Sequence, residues 1–226
     1  MLTATAGCRP GFAPDRRADG QGACDAGRVL APEVATEIAG HLRLLRRPVE
    51  LVAALDDSDA AAEVADLLSD LASLSDMVSV STGEHGRRPS FAVASPGVEP
   101  TLRFAGPPIG DALGSLVLAL LHVGGHPPRV DEATVARIRR LDVPVELETW
   151  FATSCRSCGD TLHAFEVISV LNPLVEHTAI NGAAFQQEAA ARGITAVPVV
   201  FVNGERLTEG RTDVEGAVEL LERLTG

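Results

Sequence analysis

The sequence lacks any apolar run close to the ~20 residues that a transmembrane helix needs. The longest candidate, residues 113–123, is interrupted by Gly114, Ser115 and His122. The N-terminus also lacks the apolar core of a signal peptide, because polar and conformationally special residues interrupt it at positions 7–10. These absences predict a cytoplasmic protein without a membrane segment.

Basic residues are scarce, with 19 Lys and Arg against 31 Asp and Glu and a formal net charge of -12. A phosphate backbone needs a basic protein face, and so does an anionic lipid surface. The charge therefore argues against nucleic acid and membrane partners, and it is compatible with a partner that presents a basic surface.

Cysteine is also rare, since the chain contains four in 226 residues. Four cysteines in a chain of this length do not make a disulfide scaffold. In a reducing compartment, a close pair such as Cys155 and Cys158 points instead to catalysis or to metal binding.

The spacing and the surroundings of this pair favour redox chemistry. Cys155 and Cys158 are separated by two residues, an apparent strand over residues 145–151 precedes them, and an apparent helix over residues 158–171 follows. A helix start supplies partial positive charge and free N–H groups, which favour a thiolate over a thiol. The pattern predicts a reversible dithiol/disulfide.

The first 31 residues differ from the rest of the chain. They are rich in Gly, Ala, Arg, Asp and Pro and show no hydrophobic periodicity, which predicts a disordered tail over residues 1–31. A thiol in such a segment is usually incidental, so Cys8 and Cys24 receive no functional role.

The remaining chain contains one pattern written twice. The tetrapeptide PVEL at residues 48–51 recurs at residues 144–147, an offset of 144 − 48 = 96. Each copy continues as strand, helix, strand, hairpin and closing helix, and the second copy has an additional helix. This order predicts an α/β protein of two tandem thioredoxin-like folds with mixed sheets flanked by helices, over residues 32–126 and 127–226.

The duplication separates the two units by chemistry. At the offset of 96 residues, Cys155 corresponds to Asp59 and Cys158 corresponds to Ala62. The first unit then has no thiol at the redox position, so only the second is predicted to be redox-active. The first unit is left as a docking wall or a rigid platform.

Local signals mark the ends of several elements. Asn203 and Gly204 favour a two-residue hairpin turn, since both tolerate positive φ. Gly193 is a plausible C-cap of the additional helix. Thr212 and Glu215 fit a capping box at the start of the last helix.

Val197 and Pro198 begin the third strand of the second unit. In thioredoxin-like folds a proline at this place usually follows a cis peptide bond and packs against the cysteine pair. The backbone of Val197 is then free to pair with a partner peptide during exchange. The alternative is a proline that merely starts an edge strand, and the dithiol in the same unit favours the functional interpretation.

Several stretches together resemble one known family. In the second unit they are residues 154–158 (SCRSC), 169–173 (SVLNP), 177–180 (HTAI) and 197–204 (VPVVFVNG), and in the first unit residues 55–58, 88–91, 103–106 and 115–121. Over roughly residues 33–226 the chain resembles the N-terminal domain of the F subunit of alkyl hydroperoxide reductase. It differs from that family at Gly159, where members carry proline, and at Ala112, where a glutamate often lies near the dithiol.

The resemblance implies a domain that takes electrons from a flavoprotein reductase and reduces a peroxiredoxin, the C subunit of the same system. It also implies that Cys155 and Cys158 are the redox cysteines and that Pro198 is the cis-proline. FAD and NAD(P)H are expected on the donor protein or on a missing portion and not in this chain, because no G-x-G-x-x-G segment occurs in it.

The position of each cysteine predicts its role. Cys155 lies nearest the exposed loop and the helix start, so it is predicted to attack, and Cys158, one turn further in, is predicted to resolve the mixed disulfide. Ser154 and Arg156 are supporting candidates, and Arg156 either lowers the thiol pKa or is a solvated charge. Trp150 either contacts the site or serves the fold.

Three alternatives remain open. The cysteine pair is half of a tetrahedral zinc set, whose other half has to come from Cys8, Cys24, His163 or His177, and no metal-type spacing supports it, so no metal is expected. The second alternative is a general thioredoxin- or glutaredoxin-like disulfide reductase, and the third is a non-catalytic adaptor.

Overall fold

The computed structural model describes residues 29–84 and 86–225. The helices are α1 (Pro32–Leu42), α2 (Asp59–Ser73), α3 (Leu113–Val123), α4 (Glu132–Arg139), α5 (Arg156–Leu171), α6 (Gln186–Ala191) and α7 (Val214–Thr225), with a 3-10 helix (Gly110–Ala112) before α3. The strands are β1 (Val49–Ala54), β2 (Val78–Thr82), β3 (Ser90–Ala94), β4 (Leu102–Ala105), β5 (Val145–Phe151), β6 (Val175–Asn181), β7 (Val199–Val202) and β8 (Glu205–Glu209). Among the described residues, none of these helices combines the length and the apolar character that crossing a bilayer requires.

The strands form one sheet in the order β2-β1-β3-β4-β6-β5-β7-β8. Its halves repeat each other, because β1 pairs parallel with β2 and antiparallel with β3, as β5 does with β6 and β7. The thioredoxin-like order of each half is as predicted. The parallel pairing of β4 with β6, which the sequence did not predict, joins the two halves into a single mixed sheet. Pairing these two strands covers an edge that each half would otherwise expose. The division at residues 126 and 127 stays a prediction.

Most of the predicted tail, with Cys8 and Cys24, lies outside the described residues. The last part of it is packed on the fold, since Leu30 is buried and the N–H groups of Val29 and Leu30 donate to Asp70 Oδ2. Residues 29–31, which belong to the predicted tail, are therefore part of the described fold.

The core of the first half extends into the second. The largest cluster of buried side chains is built mainly from residues before position 121, yet it includes Phe151, Cys158 and Leu162. Helix α3 of the first half packs against helix α5 of the second half. The buried cysteine is therefore embedded in a core that the first half largely supplies.

The predicted hairpin turn and C-cap both occur. Asn203 and Gly204 have φ values of 48° and 83°, the positive values that a two-residue turn between β7 and β8 requires. Gly193 follows α6 with φ 64°, a left-handed conformation that glycine adopts without steric cost.

The predicted capping box at the start of α7 is wrong by one residue. Asp213 Oδ1 accepts the N–H of Gly216, so Asp213 caps the helix. Thr212 is engaged elsewhere, because its N–H donates to Thr161 Oγ1 on α5. Sequence alone could not show whether Thr212 or Asp213 caps the helix, because the hydrogen bond that engages Thr212 comes from Thr161 on α5, 51 positions away.

Candidate active site

The cysteine pair lies where β5 ends and α5 begins. Cys155 is the N-cap residue of α5 and is half-buried, whereas Cys158, one turn further, has no exposed surface. A disulfide joins the two residues, whose Cα atoms are 5.4 Å apart. One sulfur therefore faces outward at a helix N-terminus and the other lies in the core behind it.

Val197 and Pro198 lie next to this pair. The peptide bond between them is cis, Pro198 is buried, and the carbonyl oxygen of Val197 is 3.7 Å from Cys155 Sγ. The structure thus brings together Cys155 and Val197, which are 42 positions apart in the sequence. Their roles in exchange are part of the proposal below.

The first half repeats this geometry without sulfur. The bond between Arg88 and Pro89, directly before β3, is also cis. The N-cap of α2 is Ser58, which is thus the structural counterpart of Cys155, and Ala61 corresponds to Cys158. The predicted counterparts, Asp59 and Ala62, are off by one residue because β5 is one residue longer than β1.

The other candidates lie around the pair in different environments. Ser154 and Arg156 are exposed beside the disulfide. Ser157, which the sequence did not single out, places its Oγ 3.6 Å from Cys155 Sγ. Trp150 is buried in a cluster with Val199 and Phe201, whereas Phe151 shares the core of Cys158. Because neighbouring strand residues point to opposite faces, Trp150 serves the fold.

The first half holds the loop that leads to the cysteines. The N–H of Asp111 donates to Thr153 O at 2.8 Å. Gly110 has φ +62°, and a Cβ atom there would lie 2.3 Å from Thr153 O. Gly159 faces the same 3-10 helix, since a Cβ on it would be 3.1 Å from Asp111 O. Sequence analysis missed this contact, which joins residues more than forty positions apart.

Replacing Gly110 with alanine is expected to move the loop, because the added Cβ meets backbone that cannot yield. We expect the free energy of unfolding to fall by roughly 2 kcal/mol and the reduction of the disulfide by dithiothreitol to change in rate. Urea denaturation and thiol titration measure the two effects. Gly97→Ala is the matched control, since Gly97 has φ +76° and a Cβ atom there would meet nothing within 4 Å. Equal losses in the two variants would contradict the role of this contact.

Three ionisable side chains near the boundary between the two halves, Glu166, His122 and His177, are buried, and a fourth, His163, is half-buried. Burial raises the pKa of Glu166 on α5 to about 8 and lowers the pKa of His177 on β6 to about 3. Burial also lowers the pKa of His122 and His163, whose rings are 5.5 Å apart between α3 and α5. All four side chains are therefore uncharged at neutral pH.

The described part of the chain offers no metal centre. No group of three or more His, Cys, Asp or Glu side chains within it is arranged to hold a metal ion. His163 and His177, which the zinc alternative pairs with the dithiol, do not form such a group with it.

No protein-family model matches the chain. The sequence is 42% identical over 188 residues to the F subunit of alkyl hydroperoxide reductase from Pseudomonas aeruginosa, and the match covers 83% of this chain and 36% of that protein. The chain is homologous to part of the F subunit of alkyl hydroperoxide reductase. It spans about a third of the length of the curated relatives it matches.

Solved structures identify the fold of that part of the F subunit. The N-terminal domain of the Enterococcus faecalis protein superposes with a TM-score of 0.80 at 23% identity, over 85% of this chain and 99% of that one. A protein disulfide oxidoreductase from Aeropyrum pernix gives 0.75 at 20% identity, over 88% and 95% of the two chains. These likenesses establish the thioredoxin-like architecture, and the predicted resemblance to the N-terminal domain of the F subunit is confirmed.

Proposed function

We propose that this chain is a thiol–disulfide oxidoreductase that carries electrons from a flavoprotein reductase to a peroxiredoxin and so serves peroxide detoxification. The observation that supports it best is the disulfide between Cys155, half-exposed at a helix N-terminus, and the fully buried Cys158. In such a pair one sulfur is accessible to a partner protein, and the other is buried beside it and can resolve the mixed disulfide. The homology to the F subunit supports the choice of donor and acceptor.

The reaction is two successive thiol–disulfide exchanges. Two electrons and one proton from the donor reduce the Cys155–Cys158 disulfide, which leaves Cys158 as a thiol, and Cys155 is held as a thiolate by the start of α5. This thiolate attacks one sulfur of the acceptor disulfide, forms a mixed disulfide and releases the other acceptor sulfur as a thiolate. Cys158 then loses its proton and attacks Cys155, which frees the second acceptor sulfur and restores the internal disulfide.

Val197 and Pro198 position the acceptor in this proposal. An extended partner segment can pair with the backbone of Val197, whose carbonyl lies beside the attacking sulfur. The exposed Ser154 and Arg156 flank the same opening and are the side chains that a docked partner meets first.

The flavin and nicotinamide groups are assigned to the donor. A dinucleotide needs a glycine-rich turn between a strand and a helix, and the turns after β1 and β5 read LDDS and ATSC. These two turns do not fit such a cofactor, so no step above passes through one in this chain.

The test is electron transfer with purified components. The chain is combined with a peroxiredoxin, peroxide and either NADH with a flavoprotein reductase or NADPH with thioredoxin reductase, and nucleotide oxidation is followed. We expect peroxide-dependent oxidation that requires the chain. No dependence on the chain would overturn the proposal, and equally rapid reduction of insulin would favour a general disulfide reductase.

A further inference from the structure

Glu166 is the most unusual charged residue in the described part of the chain. It lies in the middle of α5, has no exposed surface, and neither carboxyl oxygen has a hydrogen-bond partner there. Hydrogen bonding by the Ser115 side chain on α3 lowers its pKa, but by less than burial raises it. The Ser115 hydroxyl also donates to Ala112 O at 3.0 Å.

An unpaired buried carboxylate costs several kcal/mol, whereas an apolar side chain at this position would cost nothing. The fold therefore holds Glu166 as an uncharged acid at neutral pH. Burial raises its pKa to about 8, so the group ionises within the pH range in which thiols also ionise.

Glu166 lies on the same buried face of α5 as the dithiol. Cys158, Leu162 and Glu166 follow at intervals of four residues, and all three have no exposed surface. Eight residues of helix separate Cys158 from Glu166, about 12 Å along the axis. Leu162, which lies between them on this face, is a buried apolar side chain, and the interior of a protein screens charge far less than water does.

We propose that Glu166 is a proton-linked positioning residue for the dithiol. As an uncharged acid it leaves the core behind Cys158 free of negative charge, which allows the reduced pair to hold a thiolate. When Glu166 loses its proton, its charge opposes the thiolate and shifts the pair toward the disulfide. The electron count is unchanged, since reduction still adds two electrons and the coupling alters only how many protons accompany them.

Other titratable or charged groups are present on α5 and on the elements packed against it. On α5 itself they are Arg156, Asp160 and His163, on α3 His122, on the 3-10 helix Asp111, on β4 Arg103, on β5 Glu146 and Glu148, on β6 Glu176 and His177, on α4 Glu132, Arg137 and Arg139, and on α7 Glu215, Glu219, Glu222 and Arg223. None of them contributes to the pKa of Glu166, which burial and Ser115 alone determine. The dithiol is the group whose ionisation this proposal couples to that of Glu166.

The experiment compares reduction potentials of the full chain and of Glu166→Gln, equilibrated in dithiothreitol redox buffers at pH 6 and pH 9. The potentials are expected to coincide at pH 6. At pH 9 that of Glu166→Gln is expected to be less negative, by up to about tenfold in the equilibrium constant, or about 30 mV. A residue that only packs would shift the potential equally at both pH values. Equal gaps at the two pH values, or none at pH 9, would overturn the proposal.

Asp160→Asn is the matched control. Asp160 is closer to Cys158 in sequence, but it is exposed and paired with Arg211, so water and the arginine screen its charge. No gap that depends on pH is expected for this variant. An equally large gap would mean that any nearby carboxylate acts in the same way, which would overturn the specific role of Glu166.

A second measurement uses the unaltered protein. The carboxyl carbon signal of Glu166, followed by NMR against pH, is expected to give a higher pKa in the reduced than in the oxidised chain, and identical values would overturn the coupling. The inference rests on the proposed dithiol chemistry but not on its partners. A chain that fails to reduce any peroxiredoxin can still show the coupling, and its absence would leave the carrier function untouched.

Discussion

Replacing Cys155 with serine is expected to lower disulfide exchange with a peroxiredoxin roughly 1,000-fold or more. A serine hydroxyl is not ionised at neutral pH and cannot form a disulfide. Cys158 cannot take over, because it has no exposed surface and lies behind Cys155 in the core. The measurement is the rate at which the reduced variant reduces an oxidised peroxiredoxin, and the reaction is followed by alkylating the free thiols and weighing the products by mass spectrometry.

Cys158→Ser is expected to act differently, because it leaves the attacking sulfur in place. Exchange should stop at the mixed disulfide, which accumulates as a covalent adduct of the two proteins. Ser157→Ala is the control, because Ser157 lies beside Cys155 Sγ but cannot take part in disulfide exchange. This variant should neither trap an adduct nor stop turnover. Normal reduction of a peroxiredoxin by Cys155→Ser would show that the roles are wrongly assigned.

The parts of this site that the sequence predicted are those encoded over short distances. A strand, two cysteines one helical turn apart and a following helix are all visible within residues 145–171. The internal duplication allowed two further predictions, the fold and the absence of thiols at the redox position of the first half. Pro198 could be predicted because the repeated unit shows where the third strand begins.

What the sequence missed depends on contacts between distant segments. The pairing of β4 with β6 joins residues that belong to different predicted units, and no local pattern announces it. The contact of Gly110 with Thr153 is equally remote, and a glycine before a helix has several possible reasons. Glu166 was missed because an acid in a helix is normally exposed, and only the packing of α3 against α5 shows that this one is buried.

The burial of Glu166 also makes stability depend on pH. Its pKa is raised from 4.5 to about 8 on folding. Below pH 4.5 the acid is protonated in both the folded and the unfolded chain and contributes no difference. As pH rises toward 8 the unfolded chain loses this proton and the folded chain keeps it, so the free energy of unfolding falls. The total loss is on the order of 5 kcal/mol and is complete above pH 8.

Glu166→Gln removes this loss while keeping the shape of the side chain. The midpoint of thermal unfolding of the variant, relative to the unaltered chain, is expected to rise by about 10 °C between pH 5 and pH 9. A buried amide also costs stability, but that cost does not change with pH. The buried histidines destabilise both proteins below pH 6.5 and cancel in the comparison.

The exposed Glu219 on α7 provides the control for this measurement. Glu219→Gln removes the same chemical group from the exposed surface, and the difference in midpoint for this variant is expected to stay constant with pH. A difference for Glu166→Gln that is also constant from pH 5 to pH 9 would mean that Glu166 is charged or hydrated in the folded protein. The uncharged acid behind the dithiol would then be excluded, because the linkage between folding and its proton follows from burial alone.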